Sequence, residues 1–249
     1  MADAAIPAAT LIVVRERPAG APELLMVERP EGMAFAGGAL VFPGGRVDDA
    51  DTEFARSLGL GDNGADRIAA MRETLEETGI AVGLDPLPSP AIALELQKAL
   101  LDGGGFASTI GSRGFRLDAG ALTAFARWVP KFHATRRFDT LFFIAAAPAG
   151  VWQPHAAPGE CAAAFWVSAQ EVLERDRAGT ARLIFPTRRN LERLAEHDTI
   201  AGMMEDAAAH PVEPITPWVE ELEGERFITI PANLGYPVVR EKFDGLWRG

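Results

Sequence analysis

The chain is poor in cysteine, lysine and long apolar runs, and each shortage narrows what it does. A single cysteine, Cys161, among 249 residues excludes an intramolecular disulfide, which leaves a reducing cytoplasm as the simplest compartment. Lysine occurs only at positions 98, 131 and 242, and Lys+Arg total 24 against 35 Asp+Glu, a net charge of −11. A chain so short of clustered cations is not expected to bind extended nucleic acid, whose phosphates require Lys and Arg contacts. No run approaches the roughly 18 apolar residues of a membrane span, so no membrane partner is expected. Met1–Val14 has no basic residue ahead of its apolar stretch, and a secretory signal is not expected either. Core-forming material, by contrast, is ample at 48% hydrophobic residues. That suits one enlarged domain or one domain with an appendage.

The most informative string is R-E-T-L-E-E-T-G-I at Arg72–Ile80, preceded by the glycine turn Phe42-Pro43-Gly44-Gly45. At about 100° per residue, Ile68, Met71 and Leu75 form one stripe of a helix while Glu73, Glu76 and Glu77 share the far side. Carboxylates three or four residues apart repel one another, and a hard divalent cation turns that repulsion into attraction. An E-x-x-E-E alone is more often a solvated acidic face. The flanks tip the balance: Gly44 and Gly45 lack a Cβ and allow main chain close to a ligand, and Gly79 reads as the stop of the helix. A site for metal and diphosphate is therefore expected.

These residues resemble the signature of the Nudix hydrolases, G-x5-E-x7-R-E-U-x-E-E-x-G-U with U aliphatic. Arg72, Glu73, Leu75, Glu76, Glu77, Gly79 and Ile80 match it at every fixed position of its second half. The first half departs from the pattern, because six residues on from Gly45 stands Asp51 instead of glutamate, and Arg72 arrives 13 residues late. An insertion at roughly Thr52–Gly64 splits the box. Phe42–Asp48 (F-P-G-G-R-V-D) and Arg136-Arg137-Phe138-Asp139-Thr140 look like the subgroup related to peroxisomal coenzyme A diphosphatases. An upstream motif carried by another coenzyme A branch is absent, and Trp247-Arg248-Gly249 is not a peroxisomal address.

The resemblance implies an α+β fold, an α/β/α sandwich around a mixed sheet with extra C-terminal helices. It implies a single domain over residues 1–249, with the box insertion, a helical insertion at about 84–120 and an extension at about 187–249. It also implies hydrolysis of a diphosphate linkage in a nucleoside-diphosphate derivative, with coenzyme A or acyl-coenzyme A as candidate substrates and Mg²⁺ or Mn²⁺ as cofactor. Glu73 and Glu77 would be the leading metal ligands, with Glu76 in the same cluster and the Gly45 carbonyl completing the shell. Arg72 would orient a glutamate, and Glu160 stands where many members supply a further acidic residue; Arg72, Glu76 and Glu160 form the candidate catalytic set. Two other readings stay open, a nucleotide-sensing regulatory module and a broad-specificity ADP-ribose or dinucleotide pyrophosphatase. The partner is a small molecule, and a homodimer is left open.

A second concentration of function is expected at Trp128–Asp139. Lys131, His133, Arg136 and Arg137 gather positive charge in an acidic protein, which suits a phosphate-rich substrate. Arg46, Lys131, Arg136, Arg137 and Phe138 are the candidate substrate contacts. The bland alternative is a solvated basic loop with Asp139 as internal partner, and Trp128 is either a base-stacking platform or core. His155, His197 and His210 lack metal-ligand spacing.

Along the chain, strands are expected at Thr10–Arg15, Leu24–Glu28 and Ala39–Phe42, the first two as a hairpin-like pair. The acidic helix covers Asp66–Thr78, and a second helix Ile92–Leu101 ends at three glycines. Ala119–Ala126 reads as a short helix, with Trp128-Val129 beginning or preceding a strand. Strands at Asp139–Ala147 and Ala162–Val167 follow, then a helix from Ser168 with the capping box Ser168/Glu171. Thr187–His197 and Thr199–His210 read as helices, before apolar segments at Ile215–Val219 and Phe227–Ile230.

Overall fold

The computed structural model describes residues 5–33, 36–130 and 137–243. In chain order the strands are β1 (Ile6–Arg15), β2 (Glu23–Glu28), β3 (Ala39–Val41), β4 (Gly44–Arg46), β5 (Leu84–Asp85), β6 (Arg116–Leu117), β7 (Thr123–Trp128), β8 (Phe138–Ala146), β9 (Ala163–Ser168), β10 (Arg182–Leu183), β11 (Pro214–Ile215), β12 (Trp218–Leu222), β13 (Glu225–Thr229) and β14 (Arg240–Lys242). The helices are α1 (Asp49–Ser57), α2 (Gly64–Thr78), α3 (Pro90–Leu101), α4 (Phe106–Gly111), α5 (Ala169–Arg177), α6 (Phe185–Leu194) and α7 (Ile200–Ala209).

β1 organises the molecule because its apolar alternation is buried on both faces. It runs parallel to β8 from Ile6 against Phe138 to Val14 against Ala146. Its other edge is divided: the C-terminal end pairs with β2, and the N-terminal end pairs antiparallel with β4, Thr10 opposite Gly44 and Ala8 opposite Arg46. The result is a mixed nine-stranded sheet that carries the glycine turn into its middle. Ala9, Leu11, Val13 and Phe143 face α2, whose stripe of Ile68, Met71 and Leu75 is buried against them. Ile12, Val14, Phe142 and Ile144 face the other way, onto Leu191 and Leu194 of α6 and Met203 of α7. Each fully buried aliphatic side chain contributes about 1.5–3 kcal/mol. The outcome is the expected α/β/α sandwich.

Two expectations need correction. Ala119–Ala126 is not a helix: a 3-10 turn covers only Ala119–Ala121, and β7 follows. Pairing with β8 overrides the helical preference of the alanines. Trp128 accordingly ends a strand. The box insertion is largely helical, since α1 starts at Asp49 and runs to Ser57. Beyond the two C-terminal helices the tail also forms a small sheet, β12-β13-β14. Among the described residues no helix is long and apolar enough to cross a membrane.

Candidate active site

The site is built where α2 lies across β4. α2 starts after Asn63, itself in the left-handed region, and stops at Gly79, whose φ of 70° and N–H bond to the Leu75 carbonyl close the last turn. Between those ends the acidic face meets the glycine turn. A Cβ on Gly44 would lie 2.4 Å from the Ala9 carbonyl oxygen, and one on Gly45 would lie 2.3 Å from the Glu73 carboxyl group. Gly44, against backbone, therefore requires glycine for close approach, whereas a side chain at Gly45 would displace the Glu73 carboxyl group.

Arg72 is the hub. Its Nε and Nη2 donate to the two Asp51 carboxylate oxygens at 3.0 and 2.9 Å, Nη2 also donates to the Arg46 carbonyl at 3.0 Å, and Nη1 donates to Glu73 at 2.8 Å and Glu76 at 3.0 Å. All the guanidinium N–H groups are thus engaged, with a bidentate fork on Asp51 that only arginine provides. Burial by itself lowers an arginine's pKa, but the Asp51 hydrogen bonds and the Glu73, Asp51 and Glu76 charges hold Arg72 above its ordinary value. Asp51, 2% exposed, also accepts from the Asp48 N–H at 2.9 Å and so anchors α1 to the same hub. It stands six residues after Gly45, where the signature has glutamate, and the split in the box falls after it.

Glu77 lies on the opposite flank. It is 7% exposed, and its Oε2 accepts from the Gly44 N–H at 3.1 Å. Burial first, then the charge of Glu73, pushes Glu77 up to about 8. Burial likewise raises Glu73 to about 7 against the opposing pull of Arg72, and raises Glu76. These carboxylates are short of positive charge. Among the described residues no three His, Cys, Asp or Glu side chains form a ready-made metal cage, because Arg72 draws Glu73 and Glu76 to one side while Gly44 holds Glu77 on the other. The donors are nonetheless hard oxygens with too little counter-charge, a set that fits Mg²⁺ or Mn²⁺.

Glu160 enters on the loop before β9. That loop docks on the end of α2: the Ala157 N–H and the Cys161 thiol donate to the Glu77 carbonyl at 3.1 and 3.2 Å, and the Glu160 charge is felt by Glu76 and Glu77. The sequence-predicted residues Gly45, Arg46, Arg72, Glu73, Glu76 and Glu77 are therefore gathered with Glu160 beside them. Arg46 is exposed on β4. Phe138 begins β8 opposite Ile6, and Arg137 just before it accepts from the Ile6 N–H through its carbonyl, two residues along from the Ala8–Arg46 pairing. Lys131, His133 and Arg136 lie outside the described residues. Asp139 accepts from Arg127 at both its oxygens, at 2.7 and 2.6 Å. Trp128 is core and not a stacking platform, 1% exposed, with Nε1 donating to Asn190 and Tyr236 and its ring edge-on to Phe185. The residues missed from sequence are Asp51, whose position counting had already singled out, and Gln97 and His155, which nothing local marks.

No protein-family model and no curated protein matches the chain. Among solved structures it resembles a NUDIX hydrolase from Alicyclobacillus acidocaldarius at 30% identity, covering 81% of this chain and 96% of that one with a TM-score of 0.69. It also matches a MutT protein from Methanosarcina mazei Go1 at 17% identity over 77% and 93% of the two chains, TM-score 0.43. A third match is the NUDIX domain of Shewanella oneidensis NrtR in complex with ADP ribose, at 12% over 78% and 88%, TM-score 0.43. The first likeness takes in four-fifths of this chain and nearly the whole of the related one, and the protein is a member of the Nudix hydrolases.

Proposed function

We propose that the protein hydrolyses a diphosphate linkage in a nucleoside-diphosphate derivative with the help of Mg²⁺ or Mn²⁺, and that the whole chain acts as one domain. The observation that carries this reading is the pair of charge-deficient carboxylates, partly buried Glu73 and buried Glu77, set against a glycine turn whose Gly44 leaves no room for a side chain. Glu73 and Glu77 would hold the cation, with Glu76 and the Gly45 carbonyl as further donors. A bound divalent cation supplies positive charge opposite the diphosphate and acidifies a neighbouring water. The rest is done by the chain. Arg72, anchored by Asp51, fixes Glu73 and Glu76, the Gly44 N–H fixes Glu77, and Glu160 accepts the proton of the attacking water as the P–O bond to the leaving phosphate breaks. A pure nucleotide sensor would have no need of so complete a glutamate set.

The finer reading is coenzyme A or acyl-coenzyme A as substrate. It is supported by the Phe42–Asp48 string and by Arg137 at the start of β8, whose planar fork suits a terminal phosphate. The test is formation of the phosphomonoester products, separated by chromatography, with Mg²⁺ and Mn²⁺ over coenzyme A, ADP-ribose, NADH, dinucleoside polyphosphates and nucleotide sugars. Glu77→Gln is expected to lower turnover by about a hundredfold or more while keeping the fold. Full activity of that variant, or of the wild type in excess chelator, defeats the reading. Arg137→Ala is expected to raise KM for coenzyme A by roughly tenfold or more and to leave its 3′-dephospho form little changed, the loss of one charged hydrogen-bonding partner. Equal losses would remove the 3′-phosphate from the reading.

A further inference from the structure

We infer that Gln97, on α3 of the inserted segment, is a positioning residue that fixes the Glu160 loop against the end of the glutamate helix. This rests on the proposed role of Glu160 as acceptor of the water's proton. Gln97 is 2% exposed, and its amide is surrounded by three groups of the site. Nε2 donates to the Glu76 carbonyl at 3.0 Å and to the His155 carbonyl at 2.9 Å, which uses both amide hydrogens. Oε1 faces His155 Nδ1 at 3.1 Å, so that nitrogen carries the proton and the amide orientation is fixed. His155 in turn donates its backbone N–H to the Thr78 carbonyl at 2.7 Å. One side chain thus ties α2 to the loop, and five residues on from His155 the loop delivers Glu160.

The joint is prepared from both sides. Gly79 ends α2 in the left-handed region, and a Cβ there would lie 2.9 Å from Leu94 Cδ2 and 3.2 Å from Gln97 Oε1, so the stop residue also makes room for α3. α3 is seated by its own buried face, Ala93, Leu96 and Leu100, and is capped by Ser89, which accepts from the Ile92 N–H. The exposed α3 side chains Lys98 and Glu95 bond to solvent-facing Asp102 and Arg113. Gln97 alone points its polar group at the site's backbone. An unsatisfied buried amide is costly, so the joint holds one geometry.

Two variants and an exchange measurement test this in the full-length protein with Mg²⁺, using the compound of the panel above that turns over fastest. Gln97→Glu keeps the shape but sets carboxylate oxygens against two carbonyls; Gln97→Met keeps the volume and removes the bonds. In both, the amide hydrogens of Ala157 and Cys161 are expected to exchange at least about tenfold faster, and kcat to fall by about tenfold or more with KM within about twofold, since small misplacement of a catalytic group is costly. In a Glu160→Gln background the Gln97 change is expected to add no further loss, because both act through one group. Unchanged exchange overturns the bracing role, and additive losses overturn its action through Glu160. If Glu160→Gln alone keeps full activity, the reading of Glu160 fails and with it the catalytic consequence, while the exchange rates still decide whether Gln97 holds the loop. Should the charged variant not fold, the methionine variant carries the same readouts.

Discussion

At the scale of single residues, the balance of the site depends on one arginine serving four oxygen-bearing partners. Asp51 takes two of its hydrogen bonds, Glu73 and Glu76 one each, and the Arg46 carbonyl another. Asp51→Asn replaces one of the two oxygens gripped by the Nε–Nη2 fork with an NH2 donor, leaves Nη2 its Arg46 carbonyl, and frees Arg72 to swing toward the glutamates. A stability loss of about 1–3 kcal/mol and a fall in turnover of roughly tenfold are expected, read by thermal melting and rate. Arg72→Lys is expected to cost more activity than Asp51→Asn, because an ammonium cannot span Asp51 and both glutamates at once; equal activity in Arg72→Lys and wild type would show that the fork is dispensable. Gly45→Ala pushes a Cβ into the Glu73 carboxyl group, and loss of activity with a nearly unchanged fold is expected. Much of this was legible. The glutamate spacing, the aliphatic stripe and the Gly79 stop follow from helical period alone, and counting from Gly45 reaches Asp51. The Gly44 N–H on Glu77 and the Gln97 amide were not legible, because they join side chains to backbone 33 and 21 residues away, where no sequence periodicity reports contact.

At the scale of elements, the expectations failed where local preference and tertiary pairing disagree. Leu122–Trp128 contains four residues of good helix propensity, yet its hydrogen-bonding edges are taken by β8 on one side and β11 on the other. The capping box at Ser168 and Glu171 succeeded because its signal is entirely local. The box insertion is the instructive case. A plain loop between the glycine turn and the helix would be expendable, since loop-closure entropy changes slowly with length. The structure makes it a packing element: Ala55 is buried, Phe54 stands edge-on to Phe106 of α4 with centroids 6.3 Å apart, and the helix begins with the Asp48–Asp51 box that holds Arg72. Deleting residues 52–64 is therefore expected to lower the melting temperature and abolish activity together. Phe54→Ala is expected to cost on the order of 1–3 kcal/mol, whereas exposed Leu58→Ala in the same segment stays within about 0.5 kcal/mol. A deletion variant with native melting and turnover would return the segment to the status of a loop.

At the scale of the whole molecule, an acidic chain keeps several of its carboxylates out of water, and that sets its response to pH and metal. Burial pushes Glu77 up to about 8, Glu73 to about 7 and, on α6, Glu192 to about 7 despite Arg189 beside it. A carboxyl group whose folded pKa lies above its unfolded value near 4.5 binds more protons when folded, so its contribution is full below that value and is lost as pH rises through 7 to 8. In chelator, the wild type is expected to melt at progressively lower temperature from about pH 5 to about pH 8. A divalent cation at Glu73 and Glu77 replaces the missing positive charge, and binding to the folded state alone stabilises it by mass action. The rise in melting temperature caused by Mg²⁺ or Mn²⁺ is therefore expected to be larger at pH 8 than at pH 6, where protons compete for the same oxygens. Glu77→Gln should abolish most of that difference, and Glu192→Gln should leave it intact while flattening part of the slope in chelator. If the cation effect were independent of pH, or survived in Glu77→Gln, the ion would be bound elsewhere on this acidic surface, and the buried glutamates of α2 would lose their assignment as its ligands.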